Sequence, residues 1–486
     1  MYWLLVVFLL YWSFLELLRR KGILERRGLR SYGPVLLIRT SRGLKLIEKI
    51  SEARNLWKSL STIGLPAVFF GMFFMFSLII VADIIMVISP PKPSELTTPQ
   101  AALLIPGLNP FIPLIWGLIG LVVAIFVHEL SHAILCRVEN IKVKALGLIL
   151  ALFPIGAFAE PDETELFDKK TKRVSRIRIF SVGVITNFFV AFVAFAFFFN
   201  SLSMLNPEIA IVDDSGEFVA RILEVNDVKA ENGFLQLLKP NEPNRFLVEN
   251  SSGKKEIIVF GVRGVKITGL YRDNMSYPAE IAGMKEGMMI TRIDGVKVEN
   301  IDDFYREMKR KEPWQNVTIE VYDGDFKTFN LTLVNKDGRA FMGVYVGNIE
   351  CIGGVNVFYT SQLLSTIQNV PSTLRDPIGW VFVISMPFTF QGFSQMKEFF
   401  NNPPEVFWLL DSLYWIAWIN FYVALFNCLP AIPLDGGRVF HEIVSAIFSR
   451  RFGEKGERIA LNISRFFAIF IFTSLIFMIV IPNLRL

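Results

Sequence analysis

Apolar residues follow two rhythms along this chain. Long, nearly unbroken apolar runs occupy residues 2–18, 66–88, 111–135, 179–199, 409–429 and 459–481. A helix rises about 1.5 Å per residue, so roughly 20 apolar residues cross a hydrocarbon layer about 30 Å thick. The pattern therefore predicts six membrane spans. Between 206 and 347 the rhythm becomes short and alternating, as in Asn316 to Tyr322 (NVTIEVY). Period-two alternation marks half-buried strands, so a β-rich soluble domain is expected there. Two apolar stretches fit neither class. Residues 145–160 (ALGLILALFPIGAFAE) are short and interrupted by Pro154 and two glycines. They read as a re-entrant hairpin, since irregular backbone at membrane depth needs protein or a watery cavity to satisfy it. Residues 376–393 read as an interfacial helix or cover on the external surface.

Charge orients these elements. Residues 19–58 hold twelve Lys/Arg and three acids, which places them in the cytoplasm. The first run has no basic segment before it and Arg19, Arg20 and Lys21 after it, so it reads as a retained helix rather than a cleaved signal. Alternating from there, both termini and residues 206–347 fall outside. Arg438, Arg450, Arg451, Lys455 and Arg458 fall in the cytoplasm. Counting 145–160 as a span would put the basic segment 169–178 outside, against the same rule.

Composition agrees with this mixture. Apolar residues make up 52 % of the chain and charged residues 20 %, with a net charge of +5. That is too apolar for an ordinary soluble protein and too charged for a chain lying wholly in lipid. Cys136, Cys351 and Cys428 are far apart, which excludes a disulfide framework and a zinc ribbon. No nucleic-acid partner is expected.

The candidate chemistry lies in the third run. His128-Glu129-Leu130-Ser131-His132 is an H-E-x-x-H pattern and uses two of the three histidines in the chain. On a helix, residues four apart share a face, so both imidazoles can reach one metal ion. Two His ligands suit zinc and leave room for a third ligand and a water. Glu129 stands beside the first ligand, where it can take that water's proton. The bland alternative is a buried polar cluster that ties helices together; ionisable groups inside a membrane seldom serve only that purpose. Cys136, four residues after His132, is a further candidate ligand or a small core residue.

A third ligand is expected near the cytoplasmic end of the fifth run. There Asn427 to Gly437 reads NCLPAIPLDGG. Its prolines stop regular helix and its glycines let backbone approach closely. Asp435 is a carboxylate at the depth of His132, or else merely a cap for the following helix. His441 is the rival ligand.

The pairing of H-E-x-x-H with N-x-L-P…L-D-G resembles the site-2 proteases, a family of intramembrane zinc metalloproteases. Gly156 to Glu160 (GAFAE) looks like that family's G-A-F-x-E hairpin. Gly183 to Phe188 is similar to its G-x-x-x-N-F helix, and Trp415 to Asn420 (WIAWIN) also agrees. The motifs cover roughly 111–199 and 409–440. The resemblance implies zinc held by His128, His132 and Asp435, with Glu129 as general base. Asn187, Asn420 and Asn427 match asparagines near the family's site, implying contact with the unwound substrate backbone or the developing oxyanion. It further implies cleavage within the membrane segments of single-span, membrane-anchored protein substrates.

Within the soluble region, Ser276 to Gly287 (SYPAEIAGMKEG) and Ile290 to Gly295 (ITRIDG) resemble PDZ domains of such proteases. The sequence departs from that pattern at Met288, where Asp is usual. PDZ folds bind peptide ends by adding a strand to a sheet edge. Blocking bulky substrates is the competing role. Residues 206–260 are less typical and are expected to complete a permuted or enlarged domain.

The expected architecture is a polytopic α-helical membrane protein of about six spans with a β-rich, PDZ-like extracytoplasmic domain. Its divisions are 1–110 (two spans and a basic loop), 111–205 (catalytic core), 206–347 (PDZ-like), 348–408 (external connector) and 409–486 (C-terminal core). The expected location is the cell membrane, with the active site toward the cytoplasm. A metal transporter and an inactive PDZ-bearing adaptor are the rival readings. Glu129 and the PDZ-like insert argue against the first, and the intact ligand set against the second.

Overall fold

The computed structural model describes every residue except 1, 27–28, 42, 102, 152, 169, 232, 274 and 485–486; the side chains of 2–5, 153–155 and 377–378 lie outside the description. Arg27, Arg42 and Lys169, counted above in the basic segments, are therefore not placed, nor is the side chain of Pro154. The chain divides into two compact units.

The first unit comprises Met1–Ser201, Ile384–Gly392 and Trp408–Leu486. Its helices are α1 (Tyr2–Arg20), α2 (Arg54–Ile88), α3 (Leu114–Val138), α4 (Arg173–Ser201), α5 (Pro404–Asn427), α6 (Asp435–Phe452) and α7 (Glu454–Asn483). Among the described residues, α2, α3, α4, α5 and α7 are long and apolar enough to cross a membrane. The expected sixth span, α1, is a helix of 19 residues.

The stretch read as a re-entrant segment forms two paired β-strands whose register shifts twice. Strands β3 (Val143–Ala151) and β4 (Phe153–Pro161) pair antiparallel. Part of the basic loop joins them, because β1 (Leu29–Tyr32) and β2 (Val35–Thr40) extend the sheet in the order β1-β2-β3-β4. Strand β3 thus has strand partners on both sides, β2 and β4. Strand β4 remains an edge.

Buried ion pairs lock the helices at the end of α3 where the hairpin begins. Arg176 of α4 forks onto Glu442 of α6 at 2.8 and 2.9 Å. Arg178 of α4 reaches Glu139, just past α3, at 3.2 Å. Both carboxylates are almost fully withdrawn from solvent, and buried charges are tolerated only when paired in this way. The apolar stretch after the soluble region forms a helix, Pro377–Thr389, of 13 residues. At about 20 Å it is too short to span. Its end docks on α5: the Tyr422 hydroxyl donates to the Ile384 carbonyl at 2.6 Å and the Tyr414 hydroxyl to Phe390 at 2.7 Å.

The second unit, Leu202–Val383 with Phe393–Phe407, contains two hydrophobic cores. One half is built from β5 (Ile209–Val212), β6 (Phe218–Val225), β7 (Pro243–Asn250) and β8 (Gly253–Phe260). The other is built from β9 (Arg263–Leu270), β10 (Met289–Ile293), β11 (Asn316–Asp323), β12 (Asp325–Thr332) and β13 (Val344–Val346). Strands β14 (Glu350–Ile352) and β15 (Val355–Tyr359) return to the first half, where Ile352 and Val357 complete its core. The sheet order is β12-β11-β10-β9-β14-β15-β5-β6-β7-β8.

Residues 206–260 therefore do not complete the PDZ-like core. They form a second core of their own, and the PDZ-like half is inserted into it. The expected boundary at 347 falls before two of the strands that the first half needs, and the residues taken as connector supply them. Both halves repeat one plan. A strand turns through two positive-φ residues, Asn226–Asp227 in one half and Asp294–Gly295 in the other, into a short partner strand. Such residues suit the tight hairpins that match strand twist. A helical segment and a long hairpin follow. That segment is a 3-10 turn, Phe234–Leu237, in the first half and the helix Ile301–Lys309 in the second.

Candidate metal centre

Helix α3 sets the site because His128 and His132 lie one turn apart on one face. Their rings sit edge to face with centroids 4.8 Å apart, and their Nε2 atoms are separated by 3.2 Å. Asp435 arrives from 303 residues later in the chain. Its Oδ2 lies 2.9 Å from His128 Nε2 and 3.1 Å from His132 Nε2. It is the first residue of α6, where a carboxylate is favoured by the positive end of the helix dipole. Gly436 and Gly437 make that start possible. A Cβ at Gly436 would stand 2.2 Å from the Cys428 carbonyl oxygen, and one at Gly437 2.3 Å from the Ala431 carbonyl carbon.

The three atoms fit a metal ion by their chemistry and spacing. His132 Nδ1 lies 2.6 Å from the Ile179 carbonyl oxygen, which can only accept. Nδ1 therefore carries hydrogen, and in the neutral ring Nε2 presents a lone pair. That lone pair faces a carboxylate oxygen and a second imidazole nitrogen, an arrangement a shared cation relieves. Tetrahedral ligands about 2.05 Å from zinc stand about 3.3 Å apart, close to the distances here. The Ile179 carbonyl is the outer partner that metal-binding histidines ordinarily have. Among the described residues, these three form the group suited to a metal.

Gly183 shows how tightly α4 closes on this group. A Cβ there would stand 2.5 Å from His132 Nε2 and 2.7 Å from His128 Nε2. Any side chain would enter the space between the ligands. The sequence marked Gly183 only through its motif; this contact was not legible there.

Glu129 does not join the ligand group. Its Oε2 accepts the backbone N–H of Ala159 at 2.9 Å, tying it to the free edge of β4. A cavity of about 380 Å³ opens around these residues. Glu129, Gly156 to Ala159, Asn427 and Arg438 line it.

The remaining expected site residues are distributed differently. Asn427 lines the cavity, whereas Asn187 and Asn420 do not. Among the described residues, Asn187 is fully buried with no partner for either atom of its amide, and Asn420 donates to Ile416 at 2.7 Å with its oxygen unpaired. Cys136 lines the cavity as a buried thiol outside the three-atom group. His441 turns away, with Nδ1 3.2 Å from Ser464 Oγ on α7.

Residues 116–471, more than half of the chain, match Peptidase family M50. The chain belongs to that family. The resemblance to site-2 proteases holds, and family membership makes the protein a metallopeptidase. An uncharacterized protein of Methanocaldococcus jannaschii is 24 % identical over 92 % of this chain and 87 % of its own. The zinc metalloprotease RasP of Shouchella clausii is 24 % identical over 33 % of this chain and 39 % of its own. The PDZ domain of an SdrC-like protein from Listeria monocytogenes matches 17 % of this chain and 86 % of its own, at 24 % identity and a TM-score of 0.15.

Proposed function

We propose that this M50 peptidase is a zinc endopeptidase that cuts single-span membrane proteins within their apolar segment. The observation that carries the reading is the convergence of His128, His132 and Asp435 beside a carboxylate, Glu129, that is held out of the ligand set. A zinc ion held by these three residues supplies a Lewis acid that polarises a carbonyl and makes water more acidic.

The chain's own groups do the rest. Glu129 accepts a proton from the attacking water and later returns it to the departing amine. The Ala159 N–H fixes the orientation of that carboxylate. A substrate helix hides its carbonyls in its own hydrogen bonds, so it has to unwind before cleavage. Strand β4 is the edge of its sheet beside Glu129, and a strand laid along it would hold the unwound chain extended. Ala157 and Ala159, two apart on β4, both line the cavity and share that edge. Asn427 stands where it can hydrogen-bond the same backbone; Asn187 and Asn420 stand further back.

The reading places the metal centre toward the cytoplasm and the β-rich unit outside, following the basic residues. The inserted PDZ-like half offers a groove of about 1250 Å³ between the helix Ile301–Lys309 and β13, suited to a peptide end. Its counterpart in the first half is different, because β14 already pairs with β15.

Purified protein in a bilayer with zinc should cut a single-span substrate inside its apolar segment, as read from product masses. Cleavage confined to soluble loops would contradict the proposal. Engineered cysteines at 300 and 451 should label from opposite sides of sealed membranes.

A further inference from the structure

The cavity at the metal centre carries one charge that the mechanism leaves unused. Arg438 lines it, three residues along α6 from Asp435, and its side chain is exposed. Several other arginines of this unit are committed. Arg39 pairs with Glu160 at 2.6 Å, Arg137 with Glu48 at 2.8 Å and Arg173 with Glu457 at 2.7 Å, besides the two pairs already described. The Arg438 side chain has no ion pair or hydrogen bond among the described residues. Its guanidinium carbon rests 5.5 Å from the centre of the Phe180 ring. Phe180 is buried, lines the same cavity and follows Ile179, whose carbonyl holds His132. The cation is thus parked against an aromatic ring with its five N–H donors unspent. The helix itself does not call for it: a positive charge in the first turn meets the positive end of the helix dipole.

We propose that Arg438 is a carboxylate-binding residue of the substrate cavity. The proposal rests on the peptidase reading. A guanidinium fork matches a carboxylate with two parallel hydrogen bonds, a geometry that lysine does not reproduce. Two sources supply this chemistry. One is an acidic side chain near the scissile bond. The other is the product: hydrolysis breaks the amide C–N bond, adds the water's oxygen to the carbonyl carbon and returns a proton to nitrogen. The fragment on the carbonyl side then ends in a new carboxylate, and the other fragment begins with an amine.

The test uses the full chain carrying Glu129→Gln, loaded with zinc, so that binding is read without turnover. Two peptide pairs are titrated in detergent. One pair lacks acidic side chains and ends in carboxylate or carboxamide. The other is blocked at both ends and carries Glu or Gln internally. With Arg438 present, one pair should show about 10–100-fold tighter binding of the acid, the range of a charge-assisted hydrogen bond. Arg438→Gln should reduce that preference to within about twofold, and Arg438→Lys should retain part of it. Zinc content, measured on each variant, should stay unchanged. Preference in the first pair identifies the new terminus, and in the second the side chain. No preference in either pair, or one that survives Arg438→Gln, would show a merely solvated arginine and overturn the proposal. Loss of zinc in Arg438→Gln would also overturn it, since Arg438 would then act through the ligands. Failure of the Glu129→Gln parent to hold zinc would instead count against the metallopeptidase reading.

Discussion

The backbone N–H of Ala159 donates to the Glu129 carboxylate across 2.9 Å, joining the H-E-x-x-H helix to the edge of a β-hairpin. The proposed base and the strand edge proposed to hold the substrate are therefore joined, and a shift in either moves the other. Replacing Ala159 with Pro removes the donor, and prolines are tolerated on edge strands whose N–H faces away from the sheet. Hydrogen bonds to charged groups contribute about 1.5–3 kcal/mol, so cleavage should fall about 10–100-fold. Zinc, measured by metal analysis, should remain. Loss of zinc along with activity would mean that the hairpin supports the ligands rather than the base.

Gly183 makes no bond to a metal, yet Gly183→Ala should abolish zinc binding. Its Cβ would fall 2.5 Å from His132 Nε2, inside the ligand group. The membrane fold should survive, because the methyl group enters a functional space rather than a packed core. Equal zinc content in the mutant and wild type would show that α4 yields more readily than its contacts suggest.

The two rival third ligands separate cleanly. Asp435→Ala should lose most bound zinc, since two histidines alone leave an incomplete site. His441→Ala should keep it, because that ring faces Ser464. The reverse pattern in metal analysis would reject the assignment of Asp435.

In the second unit, Ile352 is fully buried in the core of the first half although it follows the inserted half in sequence. Ile352→Ala should destabilise that core by about 2–5 kcal/mol in denaturant unfolding of a fragment spanning 202–383. A fragment ending at 347 should fail to form the first core. Identical unfolding of the two fragments would mean that β14 and β15 are dispensable.

What could be read from sequence divides along local and non-local lines. His128, Glu129 and His132 were legible because their spacing within one helix already sets their geometry. Asp435 was legible as a carboxylate on interrupted backbone at a matching depth, although its partners are about 300 residues away. The long helices followed from apolar run length alone. The hairpin β3–β4 was not recognised as strands, because nothing near 143–161 announces pairing with residues 29–40 of the basic loop. The insertion of one β core into another was equally hidden. Alternation predicts that 209–260 makes strands but does not say which later strands complete them. Arg438 passed as one more cytoplasmic charge, since its place on the cavity and against Phe180 shows only in the folded chain.

In the proposed mechanism Glu129 acts as the base without being a ligand. Glu129→Gln keeps the size and a hydrogen-bonding edge of the side chain but removes its ability to accept the water's proton. The decisive measurement is cleavage of a purified single-span substrate by purified wild type and Glu129→Gln, with zinc determined on the same samples. Both proteins should carry equal zinc, about one ion per chain, and Glu129→Gln should be slower by at least the ~10²–10⁴-fold typical of a lost general base. Substantial cleavage by zinc-loaded Glu129→Gln would contradict it.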